Sequence, residues 1–170
     1  IMNPPFTRQE RLPKEYKKEL VKRFREYDDY LHGQLGLYGY FILLADRFTR
    51  TDGRIALVLP ATFLRLKSTK EIRMLLVENY CIEHIITTYE RAAFSEGAQF
   101  REILLIAKKS KELVHPNCAI TSLKRLPRSA KEAEEYSKKI MSAIRTLKSE
   151  EVYDDDIMTI LIVSQDLLKR

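Results

Sequence analysis

Arg54-Ile55-Ala56-Leu57-Val58-Leu59-Pro60 is the stretch on which the fold turns. A continuous apolar run this short, closed by a residue that cannot donate to a ladder, predicts a strand buried on both faces of a mostly parallel sheet. Thr51-Asp52-Gly53, just before it, predicts a turn, with Gly53 ending the preceding helix. That helix is expected over Tyr38 to Thr49. It is apolar on more than one side (Tyr40, Phe41, Leu43, Leu44, Ala45, Phe48), as a helix held between a sheet and a neighbouring layer would be. After the strand, Ser68 and Glu71 have the spacing of a capping box, and Ile72, Leu75, Leu76 and Tyr80 fall on one helical face. Cys81 to Thr88 reads as a second strand, Phe94 to Gly97 as a loop, and Phe100 to Lys108 as a further strand whose Ile103 to Ala107 repeats the first apolar run. Alternation of strand and helix makes the fold class α/β.

Beyond Lys111 the pattern changes. Ala119 to Leu126 predicts a strand, and Lys131 to Ser149 a strongly amphipathic helix with Ala133, Tyr136, Ile140, Ala143, Ile144 and Leu147 inward. Ile157 to Val163 suits either a strand or the start of a buried helix, and Asp154-Asp155-Asp156 reads as a solvated turn rather than a metal site. The expected division is residues 1–112 as one unit and 113–170 as an extension.

The composition, 170 residues with 45% hydrophobic and 32% charged, suffices for one domain with its own core. No stretch is apolar enough to span a bilayer and no signal peptide is visible, so a cytoplasmic protein without membrane contact is expected. Cys81 and Cys118 lack metal-ligand spacing and read as reduced packing residues. His32, His84 and His115 are scattered, with His84 a satisfied structural histidine inside a strand. Gly33, Gly36 and Gly39 match no nucleotide fingerprint and read as helix termination and flexibility.

Asn3-Pro4-Pro5-Phe6 carries the chemistry. The exocyclic amine of adenine is a poor nucleophile because its lone pair is delocalised into the ring; it becomes reactive when acceptors draw its protons out of the ring plane. The Asn3 side-chain oxygen supplies one acceptor. The Pro4 carbonyl supplies the second, since consecutive prolines lack N–H groups and hold the backbone extended. Phe6 offers a stacking face worth about 1–3 kcal/mol to a base taken out of the duplex. A net charge of +6 suits a polyanionic partner. Arg8, Arg11, Lys14, Lys17, Lys18, Lys22, Arg23 and Arg25 cluster directly after this motif. Because Tyr16, Leu20, Phe24, Tyr27 and Leu31 recur at helical spacing, these cations read either as a DNA-facing surface or as a solvated helix face. An intermediate reading has Arg8 and Arg11 on phosphate.

In this motif and in the order of elements that follows it, the chain resembles the adenine-N6 DNA methyltransferases of restriction-modification systems, over about its first 110 residues. The resemblance implies a partial Rossmann-like methyltransferase fold, three layers around a mixed, mostly parallel sheet, lacking the N-terminal strands that bind S-adenosylmethionine. It also implies an adenine-specific enzyme acting on DNA with Asn3, Pro4, Pro5 and Phe6 as catalytic residues, and Phe94, with Phe100 as a competitor, holding the extruded base. The glycine-rich cofactor turn of such enzymes is not visible, no glycine follows Gly97, and position 1 is not Met. A fragment inactive in isolation is therefore expected, one that pairs with a missing N-terminal half or forms a homodimer through an exposed sheet edge. Two other readings stand beside this one: an enzyme methylating a glutamine amide or RNA, where protein-modifying relatives usually carry Tyr at the place of Phe6, and a noncatalytic nucleic-acid-binding or assembly module.

Overall fold

The computed structural model describes residues 1–7, 9–89, 94, 101–110 and 117–168. The apolar run forms strand β1, Arg54–Pro60. It is joined in one sheet by β2 (Tyr80–Thr88), β3 (Glu102–Lys109), β4 (Asn117–Leu123), β5 (Val152–Asp154) and β6 (Met158–Ser164), in the order β1-β3-β2-β4-β6-β5. The fold is α/β, as expected, but the sheet is mostly antiparallel. Among the named strand pairs, β2 with β4 is parallel, whereas β1–β3, β2–β3, β4–β6 and β5–β6 are antiparallel. The sequence pattern of β1, helix and β2 is that of a parallel unit, and these two strands do run in the same direction. The later strand β3 inserts between them and opposes both.

That insertion puts β1 at the end of the sheet, which corrects the expectation of burial on both faces. Ile55, Leu57 and Leu59 are buried, while Ala56 and Val58, together with Leu104 and Ile106 opposite them on β3, are only half-buried. An apolar run can thus arise without double burial, and the burial alternates with the pleat.

Helices cover the sheet from both sides. Helices α2 (Leu37–Phe48) and α3 (Lys70–Asn79) contribute Ile42, Leu43, Ile72, Leu75 and Leu76 to a core with Ile55, Leu57, Leu59, Ile103 and Leu105. Fully burying each such side chain contributes about 1.5–3 kcal/mol. Helix α4 (Ala130–Thr146) packs Tyr136, Ile140 and Ala143 against Ala119, Leu123, Ile160 and Ile162. Cys118 and Val163 belong to the first core and their chain neighbours Ala119 and Ile162 to the second, so the two cores lie on opposite faces. The sheet continues without a break from residues before position 112 to those after it. Gln165, in the short helix α5 (Gln165–Leu168), reinforces that junction: its amide donates to Ile82 O at 2.6 Å and accepts from Ile82 N at 3.2 Å, beside a register shift between Ile82 and His84.

Local expectations were met unevenly. Ile157 to Val163 resolves as strand β6, and β5 precedes it through a turn that Asp155 closes by accepting from the Ile157 and Met158 N–H groups, each at 2.8 Å. The capping box is at Ser129 and Glu132, not Ser68 and Glu71. Ser129 Oγ accepts from Glu132 N at 3.2 Å and Glu132 Oε2 from Arg128 N at 2.6 Å. Ser68 instead lies in a 3-10 turn, Lys67–Thr69, so the cap falls on Thr69, whose hydroxyl is engaged with the Phe63 and Leu66 carbonyls. In the turn before β1 the residue with positive φ is Asp52 (64°); Gly53 is needed because an added Cβ would lie 2.8 Å from Arg50 O. Tyr16 is exposed, while Leu20 and Phe24 anchor α1 (Lys14–Arg23) and the 3-10 segment Arg25–Tyr30 that follows it.

One polar cluster ties these layers together. Asp46, on α2, accepts from Tyr27 OH at 2.8 Å, Tyr80 OH at 2.7 Å and Lys109 Nζ at 2.8 Å, and Lys109 also donates to the Asp46 carbonyl at 2.7 Å. Burial alone would raise the Asp46 pKa, but the donors from Lys109, Tyr80 and Tyr27 outweigh it and hold the carboxyl below its ordinary value. Burial, and then the Asp46 charge, push the Tyr27 and Tyr80 hydroxyls the other way. Asp46→Asn is expected to lose about 2–4 kcal/mol of stability at neutral pH, because an amide cannot accept from three donors. With a folded pKa below the unfolded value of about 3.9, the carboxylate contribution is complete above that value and is lost as pH falls through the folded pKa. Urea melts from pH 2 to 7 should therefore show a shallower acid-side decline in the variant.

Candidate functional site

Residues 3–6 form a short bridge between two backbone anchors. Upstream, Met2 lies parallel to β1, with Met2 N donating to Ala56 O at 2.8 Å and Val58 N to Met2 O at 3.0 Å. Downstream, Leu37 N at the start of α2 donates to Thr7 O at 3.0 Å. Within the bridge Pro4 is buried, Asn3 and Pro5 are exposed, and Phe6 is half-buried. Phe6 meets Tyr38 edge-on at 6.4 Å and 89°, and Tyr38 in turn meets Phe63 at 6.5 Å and 78°. Edge-to-face contacts of this kind orient a ring. Gly36 is where the second anchor needs space, since a Cβ there would lie 3.2 Å from Thr7 O and 3.0 Å from the Tyr38 ring. Gly36 and Gly39 thus lead into and lie within α2 rather than terminating a helix, and a Cβ on Gly39 would fall 2.4 Å from Leu35.

Phe6, at the downstream end of the bridge, borders a cavity of about 430 Å³. Phe6, Gly36 and Tyr38 form one side, the 3-10 turn Gln9–Arg11 contributes Gln9 and Glu10, and Pro60, Thr62, Leu66 and Ser68 come from the end of β1 and the turn after it. A volume in this range accommodates a small planar ligand.

Of the tetrapeptide, Phe6 lines this cavity, while Asn3, Pro4 and Pro5 precede it along the bridge and are not among the lining residues. Arg11 is exposed in the turn whose neighbours line it, and Arg8 lies outside the described residues. Several cations of α1 are engaged along the helix: Lys18 with Glu15, Arg23 with Glu19, and Lys17 with Gln9. Phe94 is half-buried and donates its backbone N–H to Glu102 Oε2 at 3.0 Å. Glu102 is paired across the strands with Pro60, so Phe94 is tethered at the end of β1 that forms the cavity wall. Residues 95–97, Phe100 and His115 lie outside the described residues.

Glu102 was not anticipated. Its exposure is 0%, and among the described residues its Oε1 has no hydrogen-bond partner. The signal in the sequence was a charged residue immediately ahead of Ile103 to Ala107, where apolar strands rarely begin buried. His84 likewise departs from expectation, since its Nδ1 has no partner among the described residues, and burial lowers its pKa. Cys81 and Cys118 are buried and not joined in a disulfide, with burial pushing the Cys118 thiol up to about 12. Among the described residues no group of three or more His, Cys, Asp or Glu could hold a metal ion, and no helix is long and apolar enough to cross a membrane.

Among the described residues the glycines form no turn of the nucleotide-cradling kind that S-adenosylmethionine sites use. Of the five glycines, Gly33, Gly36 and Gly39 precede or lie in α2, Gly53 precedes β1, and Gly97 is outside the described residues. None of the described four makes a glycine-rich turn from a strand into a helix, the arrangement that lets main chain approach such a ligand.

This architecture is the fold of restriction-modification methyltransferase structures. It superimposes on the type IIG restriction endonuclease BpuSI with a TM-score of 0.69 at 16% identity, covering 93% of this chain and 18% of that one. The type I restriction-modification methyltransferase subunit from Streptococcus thermophilus gives 0.60 at 18% identity, covering 97% and 34%. In sequence, the chain is 24% identical over 111 residues to the type II methyltransferase M.BstVI of Geobacillus stearothermophilus, covering 65% of this chain and 19% of that relative. Residues 1–94 match the Eco57I restriction-modification methylase family, and the chain belongs to it. It spans about a fifth of the length of the M.BstVI relative.

The two anchors make a direct prediction. Gly36→Val places methyl groups against Thr7 O and Tyr38, and is expected to destabilise the fold by about 1–3 kcal/mol. Hydrogen exchange should accelerate at the Leu37 amide, which donates to Thr7 O, while the Val58 amide, held by Met2, stays protected. Equal acceleration at both would mean that the anchors are not independent.

Proposed function

We propose that this chain presents the target-base side of a DNA methyltransferase that modifies the exocyclic amine of adenine. The observation that carries the reading is the clamped bridge of residues 3–6 beside a cavity sized for a planar ring. In this reading an adenine turned out of the duplex enters the cavity. Its amine donates to the Asn3 side-chain oxygen and to the Pro4 carbonyl, and Phe6 stacks on the ring, with Phe94 as the second aromatic contact. Pro5 keeps the Pro4 carbonyl free and fixed. Two acceptors out of the ring plane turn the nitrogen lone pair away from the purine π system, which is what makes it nucleophilic. Arg8 and Arg11 contact backbone phosphate. The methyl group comes from S-adenosylmethionine, held in this reading by another part of the polypeptide.

Membership of a restriction-modification methylase family supports methyl transfer, and the net charge of +6 supports a nucleic acid partner. Phe rather than Tyr at position 6 favours DNA over a protein amide. The open edge of β1 supports a donor-binding half or a second copy as the structural partner. Beyond the Met2 bridge, this edge and the half-buried face of Ala56, Val58, Leu104 and Ile106 offer an apolar surface for further strands and helices.

The test is transfer of labelled methyl groups to DNA by the full-length gene product, with the modified base identified by mass spectrometry. Asn3→Ala is expected to lower kcat by at least about 100-fold. Phe6→Ala, which removes a stacking contact of about 1–3 kcal/mol, should lower kcat/KM by about 5- to 150-fold. Methylation of a protein or RNA in place of DNA, or full activity of the Asn3 variant, would overturn the reading. Residues 1–170 alone are expected to run as a dimer in light-scattering chromatography and to transfer no methyl groups. A stable monomer counts against the open edge as a contact surface.

A further inference from the structure

The turn after β1 adds a feature to the cavity that the proposed chemistry leaves unused. The chain passes through two 3-10 segments, Ala61–Leu64 and Lys67–Thr69, before α3 begins. Thr62, Leu66 and Ser68 line the cavity, and Arg65 and Lys67 stand between them in sequence. Both cations are exposed, and neither makes an ion pair among the described residues. Other strand-end and turn cations are engaged: Arg54 with Glu83, Lys108 with Asp52, Lys124 with Asp154.

The turn is also held rigidly from beneath. Arg73 Nη1 donates to Phe63 O at 2.7 Å and Leu66 O at 2.9 Å and approaches Thr69 Oγ1 at 2.6 Å; the Thr69 hydroxyl lies 2.8 Å and 2.9 Å from the same two carbonyls. A third cation, Lys70, follows at the first position of α3, where the backbone dipole disfavours it, and Glu71 is the acid of that first turn. Arg65 and Lys67 thus make no ion pair within the described fold, while their backbone is fixed next to the cavity-lining Leu66 and Ser68. The acid among the described lining residues, Glu10, belongs to the other rim, with Gln9.

We propose that Arg65 and Lys67 bind backbone phosphates of the DNA strand that delivers its base to this cavity. They position the strand rather than read its sequence, since a phosphate contact carries no base information. The inference rests on the reading above that the cavity takes an extruded base.

The experiment compares the full-length enzyme with an Arg65→Ala/Lys67→Ala double variant and a charge-preserving Arg65→Lys/Lys67→Arg variant. Methyl transfer to duplex DNA and DNA binding are measured over a range of salt concentrations. Each lost phosphate contact should weaken binding by about 10-fold at roughly 0.1 M salt and reduce the slope of log affinity against log salt by about 0.9. KM for DNA should rise accordingly, equally for cognate and non-cognate binding, with kcat at saturating DNA and the Tm unchanged. The charge-preserving variant should keep the wild-type slope. An unchanged slope in the alanine variant, or a fall in kcat at constant KM, would overturn the assignment while leaving the proposed reaction standing. Failure of the wild-type enzyme to methylate DNA would instead remove the reading on which the assignment rests.

Discussion

Asp46 is the constraint around which the layers are arranged. A carboxylate on the inner side of α2 is tolerable only because donors converge on it from elements far apart in the chain: Tyr27 from the segment after α1, Tyr80 from β2 and Lys109 from the end of β3. Hydrophobic burial is non-directional and would accept several rotations of α2 over the sheet. A three-donor polar cluster accepts far fewer, because each misplaced donor is left unsatisfied in a poorly solvated place. Lys109 adds a bond to the Asp46 carbonyl, so the backbone of the helix as well as its side chain is tied to β3.

The site inherits that fixity. The start of α2 carries Leu37, Tyr38 and the glycine that lets residue 7 approach, and β1 carries the partner of Met2. The four residues between are thus suspended from a helix and a strand whose relative placement the core and the Asp46 cluster determine. Two prolines in a bridge this short remove most of the remaining backbone freedom. Geometry at the bridge is thus a consequence of packing elsewhere, which is how a short segment can be preorganised.

Much of this was legible in the sequence, and the failures share a cause. Helix α2, strand β1 and strand β2 fell within a residue or two of their expected limits because apolar periodicity and a turn or proline mark their ends locally. Strand direction was not legible, since nothing in Arg54 to Pro60 records that β3 will enter between β1 and β2. The same four-residue pattern of Ser and Glu occurs twice, and only Ser129 with Glu132 forms the box, because the other Ser is drawn into a turn that Arg73 and Thr69 hold by tertiary contacts. The tetrapeptide Asn3 to Phe6 was readable as a chemical proposal. Glu102 was not, because its significance lies in a register partner, Pro60, distant in sequence.

Glu102 and the residues around it show where the usual rules of stability give way. A wholly buried carboxylate with one oxygen on the Phe94 amide and the other unpartnered among the described residues is an expensive feature for a strand to carry. A glycine inside α2 gives up helix propensity to admit Leu35, and Lys70 opens α3 at the end where the dipole disfavours a cation. These departures gather about the cavity and the elements that frame it: Glu102 and Pro60 at one end of β1 and β3, Gly39 on α2, and Arg65 and Lys67 on the turn. The second core beneath α4 shows a formed capping box and complementary ion pairs such as Lys138 with Glu134. Departures also occur away from the cavity, at His84 Nδ1 on β2 and at Thr121 Oγ1 on β4, buried atoms without a partner among the described residues, so the cavity region holds several of them but not all. The end of β1 near Asn3 to Phe6 and the layer beneath α4 are mechanically one body, joined through Gln165 and the shared sheet, so packing under α4 bears on the placement of the proposed site.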